Sequence, residues 1–310
     1  MLRDASMSRS RPAALPTIRR HRVSGLPSTA VHKRRVEAVL LKGRSRRLGA
    51  DQYLVPASWP ADHPLYHPDR YGQIDPLLVA ETIRQTGILI AHERLGIPHD
   101  HMFVLGSLHV EVQDGAHTAG GRLPVEVVAH CRHDGRDPGR TRTAMTAWIQ
   151  VAGRTLARAR VTWHTMEAGR YHDVRWPTGA AVIPDGPATP AVPGDRLSAT
   201  RVGRRRPRDV VLAGPESGPW LLRPDPAHPV LFDHPSDHVP GMVLLEGVRQ
   251  AFAACRDGDP GRAATIVEAR FRRFAELDAP VLIRRRQQGF TAEQHGRILL
   301  EATVDGPGPC

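Results

Sequence analysis

Two long apolar helices carrying the same three polar residues constrain this chain more than any other feature. Leu78-Val79-Ala80-Glu81-Thr82-Ile83-Arg84-Gln85 aligns with Val243-Leu244-Leu245-Glu246-Gly247-Val248-Arg249-Gln250, so that Glu81, Arg84 and Gln85 fall on Glu246, Arg249 and Gln250. Two later blocks keep the order. Leu123-Pro124-Val125 and the strand running to Gly135 match Ala279-Pro280-Val281 and the strand running to Gly289, and Gly153-Arg154-Thr155-Leu156 matches Gly296-Arg297-Ile298-Leu299. Three matches in order indicate an internal duplication whose first half carries the longer loops. The helices, about Pro76–Leu95 and Gly241–Cys255, are apolar nearly all round, which predicts burial rather than a surface position.

Strands follow each helix: Phe103–Gln113, Pro124–Arg132, Thr141–Val151 and Thr155–Met166 in the first half, and Ala264–Leu277, Pro280–Gln287 and Arg297–Val304 in the second. Alternation such as His109-Val110-Glu111-Val112 supports half-buried antiparallel pairing. A strand is also expected before each helix, at Arg35–Leu41 and at Val210–Ala213 or Trp220–Leu222. The resulting fold class is α+β: a double hotdog, two central helices each wrapped by an antiparallel sheet, forming a pseudo-dimer in one chain. Joining the two sheets edge to edge would cover their exposed edges. The expected organisation is a basic arm at 1–27, hotdogs at 28–170 and 209–310, and a Pro/Gly/Arg-rich linker at 171–208. Arg204–Arg206 reads there as a solvated edge or as a dock for an acidic partner.

With 40% hydrophobic residues in 310, the chain can bury a sizeable core, and wholesale disorder is excluded. No apolar run approaches the ~20 residues of a transmembrane helix, and no secretory leader pattern opens the sequence. Three cysteines (Cys131, Cys255, Cys310) are too few to staple a scaffold, so a reducing cytoplasm is expected. The net charge is +11, and only two of the 43 basic residues are lysines, Lys33 and Lys42. Such a field favours acidic or phosphorylated partners. No glycine-rich phosphate loop, GxSxG elbow or paired CxxC occurs. His130-Cys131-Arg132-His133 and His99-Asp100-His101 lack metal-ligand spacing, so neither a metal nor a cofactor is expected.

Chemistry concentrates in Phe232-Asp233-His234-Pro235-Ser236-Asp237-His238-Val239-Pro240-Gly241-Met242. Here imidazoles and carboxylates crowd the start of the second helix. The unpaired N–H groups of that helix start, around Gly241 and Met242, can polarise a carbonyl that becomes an oxyanion. His234, His238, Asp237, Glu81 and Glu246 are the candidate acids and bases. Capping is the alternative for the aspartates, and pairing with an arginine of the facing half, Arg249 or Arg84, the alternative for the glutamates. Arg84 and Arg249 share a helix face with their glutamates and could bind a phosphate, while Gln85 and Gln250 could orient a carbonyl. In the first half, His63-Pro64-Leu65-Tyr66-His67-Pro68 is the looser counterpart of the histidine cluster, with His67 the candidate taken from it, and Asp75 is placed to cap its helix. Both join the substrate-binding candidates.

The segments DHPSDHVPGMVLLEGVRQA and IDPLLVAETIRQTGILIAH, with Val31-His32-Lys33, resemble the A-factor biosynthesis hotdog proteins of γ-butyrolactone signal biosynthesis over roughly residues 28–305. The resemblance implies transfer of a β-ketoacyl group from an acyl carrier protein thioester to the hydroxyl of dihydroxyacetone phosphate. By analogy with hotdog dehydratases and thioesterases, it also pairs His234 with Glu81 and His67 with Glu246 across the halves. The spacing from His234 to Pro240 is shorter than in the dehydratases. Carrier protein and triose phosphate are the expected partners; no membrane is expected, nucleic acid is disfavoured, and an oligomer is possible. The competing readings are an acyl thioesterase or dehydratase, and a non-catalytic protein that binds an acyl ligand or nucleic acid.

Overall fold

The computed structural model describes residues 25–113, 121–135, 139–177, 194–234, 236–256 and 265–305. In chain order its elements are β1 (Arg46–Arg47), β2 (Gln52–Pro60), α1 (Pro76–Arg94), β3 (Met102–Val112), β4 (Arg122–Asp134), β5 (Arg140–Val151), β6 (Arg154–Met166), α2 (Ala168–Arg175), β7 (Leu212–Ala213), β8 (Trp220–Leu222), α3 (Gly241–Cys255), β9 (Thr265–Phe271), β10 (Val281–Arg286), β11 (Gly289–Gln294) and β12 (Arg297–Asp305).

The strands form one sheet in the order β1-β2-β4-β5-β6-β3-β9-β12-β11-β10-β8-β7. The second half of that order mirrors the first, strand for strand. The seam is the antiparallel β3–β9 pair, with Ser107 opposite Arg270 and Leu108 opposite Ala269. Each half closes over its own helix. From Pro76 to Ala91 every residue of α1 except Arg84 is buried, and from Met242 to Ala254 every residue of α3 is buried. Helix and sheet approach so closely that a Cβ at Gly247 would meet the Leu222 methyl at 2.7 Å. This is the double hotdog that the duplication predicts.

The aligned blocks coincide with structural equivalents. β4 and β10 occupy the same place in the two halves. The β5–β6 and β11–β12 hairpins turn on Ala152-Gly153 (φ 47 and 79) and His295-Gly296 (φ 51 and 70). Two consecutive left-handed residues match the right-handed twist of the flanking strands. Those paired turns are why the Gly-Arg block survives in both halves.

Several expectations need correction. Arg35–Leu41 is not a strand. It holds a 3-10 turn at Val36–Ala38 and a single bridge from Leu41 to Ala57. The strand in that place is β2, which the sequence hides because Pro56 and Pro60 break a strand pattern. β2 pairs fully with β4, and the Pro56 carbonyl accepts from Lys42 N on the outer side (2.8 Å). β11 is a further strand that sequence reading passed over. The linker expected at 171–208 is ordered at both ends: Tyr171 and Arg175 lie on α2, and Arg196 bridges to Ala213. Its middle, 178–193, and most of the basic arm, 1–24, lie outside the described residues. Among the described residues no helix is long and apolar enough to cross a membrane.

Candidate active site

Each central helix buries one glutamate near its middle, and the sequence around each builds the same frame. The Gln85 amide donates to Ala38 O (2.9 Å) and to Glu81 Oε1 (2.8 Å), while its Oε1 accepts from Leu40 N (2.9 Å). Gln250 repeats this with Asp209 O (2.7 Å), Glu246 and Val211 N (2.9 Å). The glutamines therefore staple a backbone segment to the helix; they are not free to orient a substrate carbonyl. Five residues before each stapled segment stands a buried cation: Lys33 before Ala38, Arg204 before Asp209. Both follow a left-handed residue, His32 (φ 54) or Gly203 (φ 64). Their backbone N–H groups close the same turn, onto Ser28 O at 2.9 Å and Ala199 O at 2.8 Å.

From these equivalent positions the two cations do different things. Lys33 Nζ lies 3.0 Å from Glu81 Oε1 and 3.0 Å from Asp233 Oδ2. Arg84 grips Glu81 with Nε (2.9 Å) and Nη2 (3.0 Å). Burial resists ionisation of Glu81, but Arg84 and Lys33 outweigh it and hold the carboxyl well below the ordinary carboxylate range. In the other half Arg204 forks onto Glu246 and also donates to Asp75 Oδ2 (2.8 Å) and Leu65 O (2.8 Å). Arg249 adds Nε to Glu246 (3.3 Å) and Nη2 to Val202 O (2.8 Å). Despite complete burial, these cations keep Glu246 at about 2. Both glutamates are thus anions at neutral pH, too weakly basic to take a proton from an alcohol.

The helix starts differ in the same sense. Asp75 caps α1 by accepting from Leu77 N (2.8 Å), with Pro76 as the first helical residue. Arg204 then covers that cap. At α3 the N-cap position is Pro240, and among the described residues no side chain caps it. The Gly241–Met242 end opens into a cleft of about 1380 Å³, lined by Glu81, Arg84, Asp233, His234, Asp237, His238 and apolar residues including Leu105, Leu244 and Phe271.

Two carboxylate–imidazole pairs stand at this opening. His238 donates Nδ1–H to Asp237 Oδ1 (2.7 Å). Asp237 also accepts from Tyr171 Oη (2.8 Å) and lies 3.3 Å from Arg175 Nε. Burial resists the charge on Asp237, but His238, Tyr171 and Arg175 bring its carboxyl to about 2. A carboxylate on Nδ1 leaves Nε2 of His238 with its lone pair, the form a general base needs. The His238 ring meets the Phe274 ring edge-on at 4.9 Å. In the second pair, His234 donates Nδ1–H to Asp233 Oδ1 (2.8 Å), and Asp233 leads through Lys33 to Glu81. The expected partnership of His234 with Glu81 is therefore bridged by two residues.

Of the sequence candidates, Glu81, Arg84, His234, Asp237, His238, Gly241 and Met242 share the cleft. Glu246, Arg249, Gln85, Gln250, His67 and Asp75 do not line it, and this corrects their assignment. Glu246 and Arg249 belong to the sealed ion network, the glutamines are staples, and Asp75 is a cap held by Arg204. His67 bonds through Nδ1 to Pro68 O (3.1 Å) and makes no described contact with Glu246. Nor is His67 the counterpart of His234. The equivalent pair is His63 and His228, each accepting through Nδ1 from the backbone two and three residues on: Leu65 and Tyr66 (3.2 and 2.9 Å), Val230 and Leu231 (3.2 and 3.1 Å). Arg204 is no solvated edge; it is among the most buried cations of the described residues. Sequence reading missed Tyr171 and Arg175, for which no pattern gives a signal. Lys33 and Arg204 did leave one: Thr-x-Val-x-Lys at 29–33 and Thr-x-Val-x-Arg at 200–204.

The A-factor biosynthesis hotdog domain matches residues 17–167 and 191–305. A 2-oxo-3-(phosphooxy)propyl 3-oxoalkanoate synthase of Streptomyces virginiae is 36% identical over 271 residues, covering 84% of this chain and 86% of that protein. The protein of the same name from Streptomyces coelicolor is 33% identical over 296 residues, covering 91% of each. Among solved structures, the 12:0-ACP thioesterase from Umbellularia californica aligns with a TM-score of 0.47 at 16% identity, over 84% of this chain and 98% of that one.

Proposed function

The chain belongs to the A-factor biosynthesis hotdog family, and from that premise we propose how its open cleft carries out the reaction. The enzyme transfers a 3-oxoacyl group to the hydroxyl of dihydroxyacetone phosphate, giving a 2-oxo-3-(phosphooxy)propyl 3-oxoalkanoate. One observation supports the siting above the others: the uncapped start of α3 opens into the cleft beside His238–Asp237, while the equivalent start of α1 is capped and covered.

The thioester carbonyl of the donor lies against the N–H groups of Gly241 and Met242. His238 Nε2 takes the proton of the acceptor hydroxyl as its oxygen bonds to the carbonyl carbon. The negative charge of the tetrahedral adduct rests on the helix N–H groups, aided by the helix dipole. The adduct collapses by breaking the C–S bond, and His238 returns the proton to the departing thiolate. Asp237, fixed by Tyr171 and Arg175, keeps the imidazole in one tautomer throughout. Glu81 positions rather than reacts, because it fixes Arg84 and Lys33. Arg84 has Nη1 remaining after Nε and Nη2 bind Glu81, and it receives the phosphate. The apolar wall takes the acyl chain.

The donor is an acyl carrier protein. Arg34, Arg273 and Arg297 line the cleft, are exposed, and pair with no carboxylate among the described residues. They suit an acidic carrier. Carrier thioester and triose phosphate both place the reaction in the cytoplasm. Incubating the protein with a 3-oxoacyl thioester, with and without dihydroxyacetone phosphate, tests the reaction by mass spectrometry. The phosphorylated ester forms only when both are present; free 3-oxo acid released regardless of acceptor would make the protein a thioesterase. Turnover retained in His238→Ala but lost in His234→Ala would move the base to His234.

A further inference from the structure

Beside the cleft, three imidazoles from three separate segments converge. His32 follows the first 3-10 turn, His92 lies in the last turn of α1, and His99 lies on the loop that leads into β3. Their ligand nitrogens all lie within 4.8 Å of one another. We infer that His32, His92 and His99 bind a divalent transition-metal ion of the zinc class at the wall of the cleft.

The geometry of the first two ligands is close to that of a bound pair. His32 Nε2 and His92 Nε2 are 3.0 Å apart and share a hydrogen bond that a bound ion would replace, with ring centroids at 5.0 Å. Two nitrogens at ~2.0–2.1 Å from a tetrahedral zinc stand about 3.4 Å apart, so the pair opens by a few tenths of an ångström. His92 has the outer support such ligands use: its Nδ1 donates to Ile97 O at 2.8 Å, which leaves Nε2 for the ion. His99 stacks on the His92 ring at 4.1 Å and is exposed, so it joins by rotating its own side chain. His32 carries a left-handed backbone (φ 54) where the second half has Gly203. A side chain there costs backbone energy that glycine avoids, and a ligand role accounts for it. Three nitrogen ligands with no carboxylate select zinc, cobalt, nickel or copper over magnesium or calcium. They also leave a fourth position open, as catalytic sites do and structural sites do not. The site does not rest on the assignment of the base.

The test uses the full chain, stripped with a chelator and titrated with zinc, then with cobalt to read d–d absorbance. One equivalent of either metal binds, cobalt gives the visible bands of a low-coordinate nitrogen site, and zinc raises the melting temperature. His32→Gly, which matches Gly203, and His99→Ala, at an exposed position, each weaken zinc binding about 100-fold or more and abolish the thermal shift. His101→Ala leaves binding unchanged. Circular dichroism checks that each variant is folded. Absence of stoichiometric uptake, or uptake that survives in both His32→Gly and His99→Ala, overturns the site.

Discussion

The two halves of this molecule place a cation at the same point of the same turn, and one holds its cleft open while the other seals it. Lys33 is short of reach and single-pointed; it joins Glu81 to Asp233 and leaves the start of α3 exposed to the cleft. Arg204 has a planar fork of donors; it ties Glu246, Asp75 and Leu65 into one buried knot across the start of α1. The two backbone hydrogen bonds of the glutamine staples agree to within 0.2 Å between the halves, yet the chemistry diverges. The same Glu-x-x-Arg-Gln pattern is cleft wall in one half and internal brace in the other.

The strongest challenge to that contrast is a pair of alanine variants. His238→Ala in the open half lowers turnover ~10²–10⁴-fold, while His67→Ala in the closed half leaves kcat within about twofold, both read by the mass-spectrometric assay. Next comes Arg204→Ala, which leaves the buried Asp75 without an ion-pair partner and Glu246 with Arg249 alone. Its expected cost is about 3–5 kcal/mol in urea unfolding, with the folded fraction turning over normally. A loss of activity larger than the folded fraction explains would mean that the sealed side takes part. Smaller effects separate the glutamates. Glu246→Gln keeps turnover and loses about 1–3 kcal/mol of stability; Glu81→Gln lowers turnover about tenfold, because Arg84 and Lys33 lose the group that fixes them.

The smallest predicted effect is a pH slope. His63, beside the sealed network, is held down to about 4, chiefly by burial, with Arg204 and Lys33 adding to it and Glu81 and Asp75 opposing. Its unprotonated Nδ1 accepts two backbone N–H groups. The unfolded chain takes up this proton near pH 6.5 and the folded one only near 4. The contribution is therefore complete above pH 6.5 and declines as pH falls toward 4, at no more than ~1.4 kcal/mol per unit. Urea unfolding at pH 7 and 5.5 measures it. His63→Asn keeps an acceptor without the titration, and flattens that part of the slope.

The fold was legible because its signals are local and doubled. The all-round apolarity of α1 and α3, the alternation in β3 and the Gly-Arg turns each name an element, and each has an echo in the other half. The site was legible only where residues are neighbours in the chain, as in Asp233-His234 and Asp237-His238. Tyr171 and Arg175 reach Asp237 from a helix more than sixty residues away, a distance no spacing reveals. Arg204 misled for the opposite reason. Its local company, Arg205 and Arg206 in a Pro/Gly-rich stretch, is that of a solvated loop, and only the tertiary arrangement supplies the carboxylates that make its burial tolerable. Glu246 misled because the motif that names it is the same in both halves, whereas its accessibility is decided by a residue forty-two positions earlier.

The seam between β3 and β9 also has a consequence for inheritance. Were each half a separate chain, two identical copies would meet about a twofold axis, and every substitution would appear at both clefts at once. A mutation creating the Arg204 knot would then extinguish both sites together and be lost with them. Carrying both halves on one chain removes that penalty. One copy can trade reactivity for rigidity while its neighbour keeps the reaction, so the continuous sheet is the arrangement under which two once-equal clefts can take up separate occupations.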